Sequence, residues 1–447
     1  MLKPAACKLR LSLGQRQRRS AFRRLDRVTI SASNNLVVGY QAVARRPPTG
    51  HAGAALSPQK GKVLEMTVLI REEEGSMASL YPIAAREELE QYLAPLGKSL
   101  IMPKQGTSMG GLYVLGARQR RLLLKPEEEW NLYESALILR LDPESGEVRT
   151  CVEYKSPPEA RAHDRSSNMF KSGTLVGNIL YTCTSTEVLI FELPEFKRIG
   201  YVSLPSFNDL HHVTPTSDGN LLVASTGLDM VIKLTPQGKT LAEWCVLDEE
   251  PWSRFSRTVD YRKVDSTKPH QSHPNYVFEL DGEIWATRLR QRDAICLNGS
   301  SKRIEIAVES PHDGLLSGDR IYFTTVDGRI VIVNPHTLKV DETIDLKQIG
   351  DQNALLGWCR GLFPLDDRRI WVGFTRVRKT EFMENVLWIK NIFREGMVVR
   401  PTHIALYDIV DKRCLQEFDL EPYGMNVIFS IFPATAPANE MQTFGSA

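Results

Sequence analysis

One four-strand phrase recurs along the chain, and it constrains the fold more than any other feature of the sequence. A short strand leads to a tight turn with Asp or Gly. A second strand of β-branched and aromatic residues follows, then a third, then a Pro or Asp-Pro and a fourth. Copies start at Asn168 ("NMFKSGTLVGNILYTCTSTEVLIFELPEFKRIGYVSL"), at His212 ("HVTPTSDGNLLVAS"), at His273, at His312 and at Arg360. The copy at Arg360 is interrupted and resumes as "HIALYDIVDKRCLQEFDL", and a less regular copy lies at about 110 to 155. A repeat of roughly 35 to 45 residues with four strands is the mark of a propeller blade. The reading is an all-β, six-bladed β-propeller. The closing run "MNVIFSIFP" (425–433) supplies the strand that would join the first blade and remove the exposed edges.

The expected organisation has four parts: a basic disordered tail over 1–76, a short helical lead-in over 77–105, the propeller over 106–434, and a disordered tail over 435–447. Residues 1 to 63 are rich in Arg and Lys with a single acid, Asp26. Such a segment reads either as an organellar import leader or as an unstructured stretch before a later start at Met66 or Met77. Residues before about Met77 are expected to be dispensable for folding. "IAAREELEQYLAPL" (83–96) has helical spacing. So does the insertion at 379–400, with Phe382, Val386, Ile389 and Phe393 on one face. A second insertion, 247–271, separates two blades.

Composition excludes several classes. The net charge of +2 gives no general reason to bind nucleic acid. No apolar run reaches the ~18 residues of a membrane span. Seven cysteines, widely spaced and without a C-x-x-C, suit buried thiols in a reducing, cytoplasmic setting.

The site follows from the repeat. In a propeller the innermost strand of each blade lines the central channel, and the residues opening these strands gather at one mouth. Counting back seven places from Gly219, Gly282 and Asp367 reaches His212, Asn275 and Arg360. Counting back six from Gly318 reaches His312. The ring is expected to contain Asn168, His212, His273 or Asn275, His312 with Asp313, Arg360, and Asn426. Strand alternation predicts that His212 faces the channel and His211 points away. His163 and His336 are expected outside the ring.

Two chemistries suit it. His212, His273 and His312 could hold a divalent transition metal with an open position. Without metal, an imidazole could do acid–base work while Arg360 clamps an anionic small molecule, with Asn168, Asn275, Asp313 and Asn426 contacting it. Lyase, hydrolase and transferase reactions all fit. The alternative is a propeller that binds a ligand or a protein without catalysis.

Three stretches, "SHPNYVFELDGEIWATRL", "PHDGLLSGDRIYFTTVDGRIVIVNP" and "GWCRGLFPLDDRRIWVGFTRVR", resemble an uncharacterised bacterial family of propeller-like proteins, some found beside tetratricopeptide repeats. The likeness covers about 205–433 and departs where Tyr276-Val277 replaces Gly-Leu; it implies a propeller and leaves the activity open. "LHHVTPTSDGNLLVAS" is similar to a blade of aryl sulfotransferases, whose chemistry uses a channel His. Gluconolactonase-type propellers hold a divalent cation through Glu, Asn and Asp. Only Asp313 is acidic at the blade starts here, so the resemblance does not carry that cation site across.

Overall fold

Runs such as Ile179–Cys183 and Leu221–Ser225 are buried along their whole length. In the computed structural model each is the second strand of a four-stranded sheet with another sheet packed on either face. Both of its faces are therefore core, and the sequence is apolar without alternation. The structure describes residues 110–121, 132–299, 301–308, 310–349, 354–378 and 398–434, with the backbone of two short strands, Ile30–Ala32 and Leu36–Val38. Those two strands pair antiparallel within a separate unit, residues 1–76. The lead-in helix, the helix in the 379–400 insertion, the C-terminal tail and the rest of the basic tail lie outside the described residues.

Six four-stranded antiparallel sheets form the blades, as the repeat predicts. Blade 2 runs Thr174–Val176, Ile179–Cys183, Val188–Glu192, Lys197–Val202. Blade 3 runs Leu210–Pro215, Leu221–Ser225, Met230–Leu234, Thr240–Cys245. Blade 4 runs Pro274–Leu280, Glu283–Arg288, Asp293–Cys296, Arg303–Glu305. Blade 5 runs Leu315–Ser317, Arg320–Thr325, Arg329–Val333, Val340–Asp345. Blade 6 runs Trp358–Pro364, Arg369–Thr375, His403–Asp408, Arg413–Asp419. Blade 1 closes the ring: Val427–Pro433 from the end of the chain is its innermost strand, beside Leu112–Gln119, Tyr133–Leu141 and Val148–Tyr154.

Every seam between neighbouring blades is apolar. Leu115 and Ile138 meet Leu180 and Leu189 between blades 1 and 2. Tyr181 and Ile190 meet Val213 and Val223, and Leu222 and Ala224 meet Val277 and Ala286. Phe278 and Trp285 meet Phe323 and Val331, Tyr322 and Ile330 meet Val372 and Phe374, and Trp371 and Leu406 meet Leu137 and Leu139. The outermost strands, such as Arg413–Asp419, are largely exposed and charged, which keeps them from pairing with other chains. At the closing seam, a Cβ on Gly116 would lie 1.7 Å from the Val427 carbonyl oxygen, so only glycine fits there. Among the described residues no helix is long and apolar enough to cross a membrane.

Candidate functional site

Four of the six innermost strands break register at the same level. The shift lies between Leu210 and His212 in blade 3 and between Pro274 and Tyr276 in blade 4. In blade 6 it lies between Cys359 and Leu362, and in blade 1 between Ile428 and Ser430. A bulge inserts an unpaired residue and re-aims its side chain. The residues so inserted are His211, Asn275, Arg360 with Gly361, and Phe429. In blades 2 and 5 the innermost strands are short, and Lys171 and His312 stand three residues before them. The ring at this level is therefore Phe429, Lys171, His211, Asn275, His312 and Arg360. Phe429 is its hub. Its ring centre lies 5.2 Å from the Lys171 ammonium, 5.0 Å from the Arg360 guanidinium, 6.3 Å from the His211 ring and 6.1 Å from that of His312.

The bulge reverses the expected orientation of the histidine pair. His212 is buried between blades, stacked on Tyr276 at 3.5 Å. Its Nε2 donates to the Gly173 carbonyl at 3.2 Å, and its Nδ1 accepts from the Val277 N–H at 3.3 Å. Both nitrogens are spent on holding blades 2, 3 and 4 together, and His212 does not line the cavity. His211 is the one that lines the cavity. Strict alternation predicts the opposite because it assumes an unbroken pleat.

The cavity, about 390 Å³, lies where the innermost strands begin. Two loops wall it. One is 156–167; the other is the end of the 247–271 insertion, which brings Lys268 and His270 to the cavity, together with His273 just beyond it. Neither Lys268 nor His270 is marked by periodicity in the sequence; the close pair His270 and His273 in "PHQSHP" was the available signal. Asn208 anchors the insertion by donating to the Tyr261 and Val264 carbonyls, both at 2.8 Å. Lys263 ties it to the other wall through the Pro158 and Arg161 carbonyls. The lining is strongly basic. Arg161, Lys171, Arg262, Lys268, Arg360, Arg376 and Arg378 face only two acids, Asp209 and Asp265.

Most of these cations have partners. Lys171 bonds Asp209 at 2.8 Å, Arg262 bonds Asp260, and Arg376 and Arg378 share Glu421. Burial pushes the Asp209 carboxyl up, but neighbouring cations, Lys171 above all, outweigh it and hold it well below the usual range. Arg360 differs. It has no carboxylate at bonding distance among the described residues, and its Nε is sealed from solvent without a hydrogen bond. Burial pulls it down from its ordinary value, yet a guanidinium keeps its proton.

The imidazoles form a row. The ring centres of His270 and His273 are 5.0 Å apart, those of His273 and His211 4.7 Å, and those of His211 and His312 6.1 Å. Burial lowers His211 and His273 well below the ordinary value, with neighbouring cations adding to it, so both rings stay neutral. His312 lies one layer behind the cavity, its Nδ1 3.5 Å from Asp313 and its Nε2 unpartnered. Asp313 is spent on Thr324 and on the Gly361 N–H at 3.0 Å.

The other expected residues fall elsewhere. Asn168 lies behind the cavity wall: its amide accepts from Ser156 N and donates to the Glu134 and Ser166 carbonyls. Asn275 donates to the Pro311 carbonyl, and its Oδ1 is unpartnered. Asn426 accepts from Gln119 N and lines a separate groove with Arg118 and Arg149. These three amides do not line the cavity. Nor does the expected metal set of His212, His273 and His312 assemble, since His212 faces the blade seam. No group of three His, Cys, Asp or Glu side chains able to hold a metal ion occurs among the described residues. His336 is exposed in a turn. His163 stands at the rim, 3.0 Å from Asp265.

The depressed imidazoles have a consequence for stability. Burial brings His212 down to about 3, while in an unfolded chain it titrates near 6.5. Below pH ~6.5 the unfolded state then binds a proton that the folded state refuses. Stability is fully present above that pH and is lost as pH falls towards 3. The slope approaches about 1.4 kcal/mol per pH unit for each such histidine. Urea unfolding of wild type and His212→Phe at pH 7 and pH 5 should show the variant losing less stability by about that amount per unit. Equal losses would show that His212 is protonated in the folded protein.

No protein-family model matches the chain, and no curated protein matches it. Among solved structures, a Bacteroides caccae protein of unknown function is similar at 12% identity and TM-score 0.46, over 73% of this chain and 100% of the other. A Bacteroides fragilis protein described as a candidate 6-phosphogluconolactonase is similar at 10% identity and TM-score 0.39, over 75% of this chain and 85% of its own.

Proposed function

We propose that the cavity binds a small anionic molecule and that the protein acts on it by acid–base chemistry, with His211 as the group that exchanges the proton. Arg360 carries the reading. A guanidinium that is partly buried and has no carboxylate at bonding distance among the described residues has lost water without gaining a paired counter-charge; Asp209 and Asp313 act on it only from further away. An anion in the cavity supplies that charge and two parallel hydrogen bonds. Lys171 and Lys268 add to the same field. His211, neutral beside them, is able to take up a proton from the bound molecule. The field also disfavours a bare cation at these imidazoles.

Calorimetric titration with inorganic phosphate, succinate and citrate tests the binding. At least one should bind, and Arg360→Met should weaken it by about 10- to 150-fold, the equivalent of a charge-assisted bond of ~1.5–3 kcal/mol. Equal affinities in wild type and variant, or binding of none of the three, would defeat the reading.

A further inference from the structure

The hydrogen bonds around the histidines determine what else a ligand must offer. A carbonyl oxygen only accepts, so His211 must carry its proton on Nδ1 to bond the Asp209 carbonyl at 2.8 Å. Its Nε2 therefore holds a lone pair, on a ring that lines the cavity. The same logic runs through the neighbouring pair. Thr267 has one hydroxyl proton, and its shortest contact is the Gly227 carbonyl at 2.5 Å. The Thr267 oxygen is then free to accept from His270 Nε2 at 3.4 Å. A neutral His270 protonated at Nε2 has a bare Nδ1, which accepts from His273 Nδ1 at 2.9 Å. His273 is thus protonated on Nδ1 as well, and its Nε2 is also a lone pair. Two rings that line the basic cavity, their centres 4.7 Å apart, thus each carry an acceptor nitrogen. The directions of the titration shifts agree, since both rings are held neutral by burial.

Resting on the anion reading above, we infer that the ligand is a hydroxylated anion: its negative group meets Arg360, and a hydroxyl of the same molecule donates to the Nε2 of His211 or His273. Simple anions satisfy Arg360 but leave both acceptors without donors. A site built to pair a hydroxyl discriminates strongly against the analogue that lacks it. The spacing permits one molecule to do both. Arg360 and His211 both lie against Phe429, 5.0 and 6.3 Å from its ring centre, so a chain of a few carbons reaches from one to the other. The class includes hydroxy acids, sugar acids and sugar phosphates.

The test uses pairs of probes that differ only in hydroxyl groups: tartrate against succinate, glycerate against propionate, and glycerol 3-phosphate against propyl phosphate. Affinities are measured by calorimetry at pH 7.5 on wild type, His211→Phe and His273→Phe, with circular dichroism as the check on folding. In wild type the hydroxylated member of at least one pair should bind at least about tenfold tighter. One of the two Phe variants should bring that pair to within about twofold while keeping the affinity of the plain anion. The inference is overturned if the plain anions bind and the hydroxyls add nothing, or if the preference survives in both variants. Should one variant fail to fold, the wild-type pairs and the other variant still decide. Titration with Zn²⁺ alone gives a further outcome. Tight binding that is lost in His211→Phe would assign the lone pairs to a cation and overturn the inference. If no anion of any pair binds, the anion reading itself has failed, which is a different result.

Discussion

A chain ended after Gly424 should not fold. That truncation removes Val427–Pro433, the innermost strand of blade 1, and with it the strand pairing that joins the two ends of the propeller. Val427, Ile428, Phe429 and Ile431 are all buried, within 3% of full exclusion from solvent. At ~1.5–3 kcal/mol for each buried side chain, their loss is about 6–12 kcal/mol. The whole net stability of a domain is about 5–15 kcal/mol, so the loss is of the same size as the total. The cut also leaves an open sheet edge on Leu112–Gln119, which invites aggregation. The truncated chain should therefore be insoluble, or lack a cooperative melt. A circular permutant separates loss of the strand from loss of a terminus. The Ala434 N–H bonds the Gly111 carbonyl at 2.6 Å, so the ends to be joined already touch. Linking 434 to 110 by a short turn, with new termini in the 247–271 insertion, should restore a cooperative melt. A truncation that melts like wild type would show that the ring does not depend on this strand.

The blades were legible because each strand position has a fixed environment. Second and third strands are sandwiched between blades, so they read as apolar runs, and the turns between them need Gly or Asp. The closing strand was legible for the same reason: "NVIFSIFP" is too apolar to be a tail. Counting back from the next turn reached ring positions such as His312 and Arg360, the second even though it sits in a bulge. In blade 3 the bulge displaced the count by one residue. Nothing in "NDLHHVTP" reports that His211 is an extra residue, because the bulge arises from the register between two strands. The swap of His211 for His212 follows from that, and so does the loss of the three-histidine metal set. Asn168 and Asn426 were polar residues near strand starts whose amides the backbone uses. Lys268 and His270 lie in an insertion without periodicity, where pattern carries no information about direction.

Asp229 is the residue whose loss should disturb the site most without touching the ligand. It lies in blade 3, at the hairpin between Leu221–Ser225 and Met230–Leu234, and is almost fully buried. One carboxylate oxygen accepts from the Ser272 and His273 N–H groups at 3.0 and 2.8 Å; the other accepts from the Gln271 N–H at 2.9 Å and from Arg254 at 3.0 Å. Three consecutive backbone donors on one carboxylate fix the chain just where His273 takes a left-handed conformation, φ 62°. Such a conformation persists only when its surroundings over-determine it. Asp229→Ala leaves those three backbone donors unpaired in the interior and takes from Arg254 the nearer of its two carboxylate partners, the other being Glu249, at about 3–5 kcal/mol. The melting temperature should fall by roughly 5–10 °C, and the preference for hydroxylated anions that depends on His273 should vanish. Asp229 itself is left-handed, φ 50°, which Asn tolerates and Ala does not. Asp229→Asn keeps that backbone and one acceptor oxygen but removes the charge, so it should lose less stability than Ala. If Asn and Ala variants both melt within 2 °C of wild type, the loop carrying His273 holds itself, and the carboxylate is not what positions the imidazole.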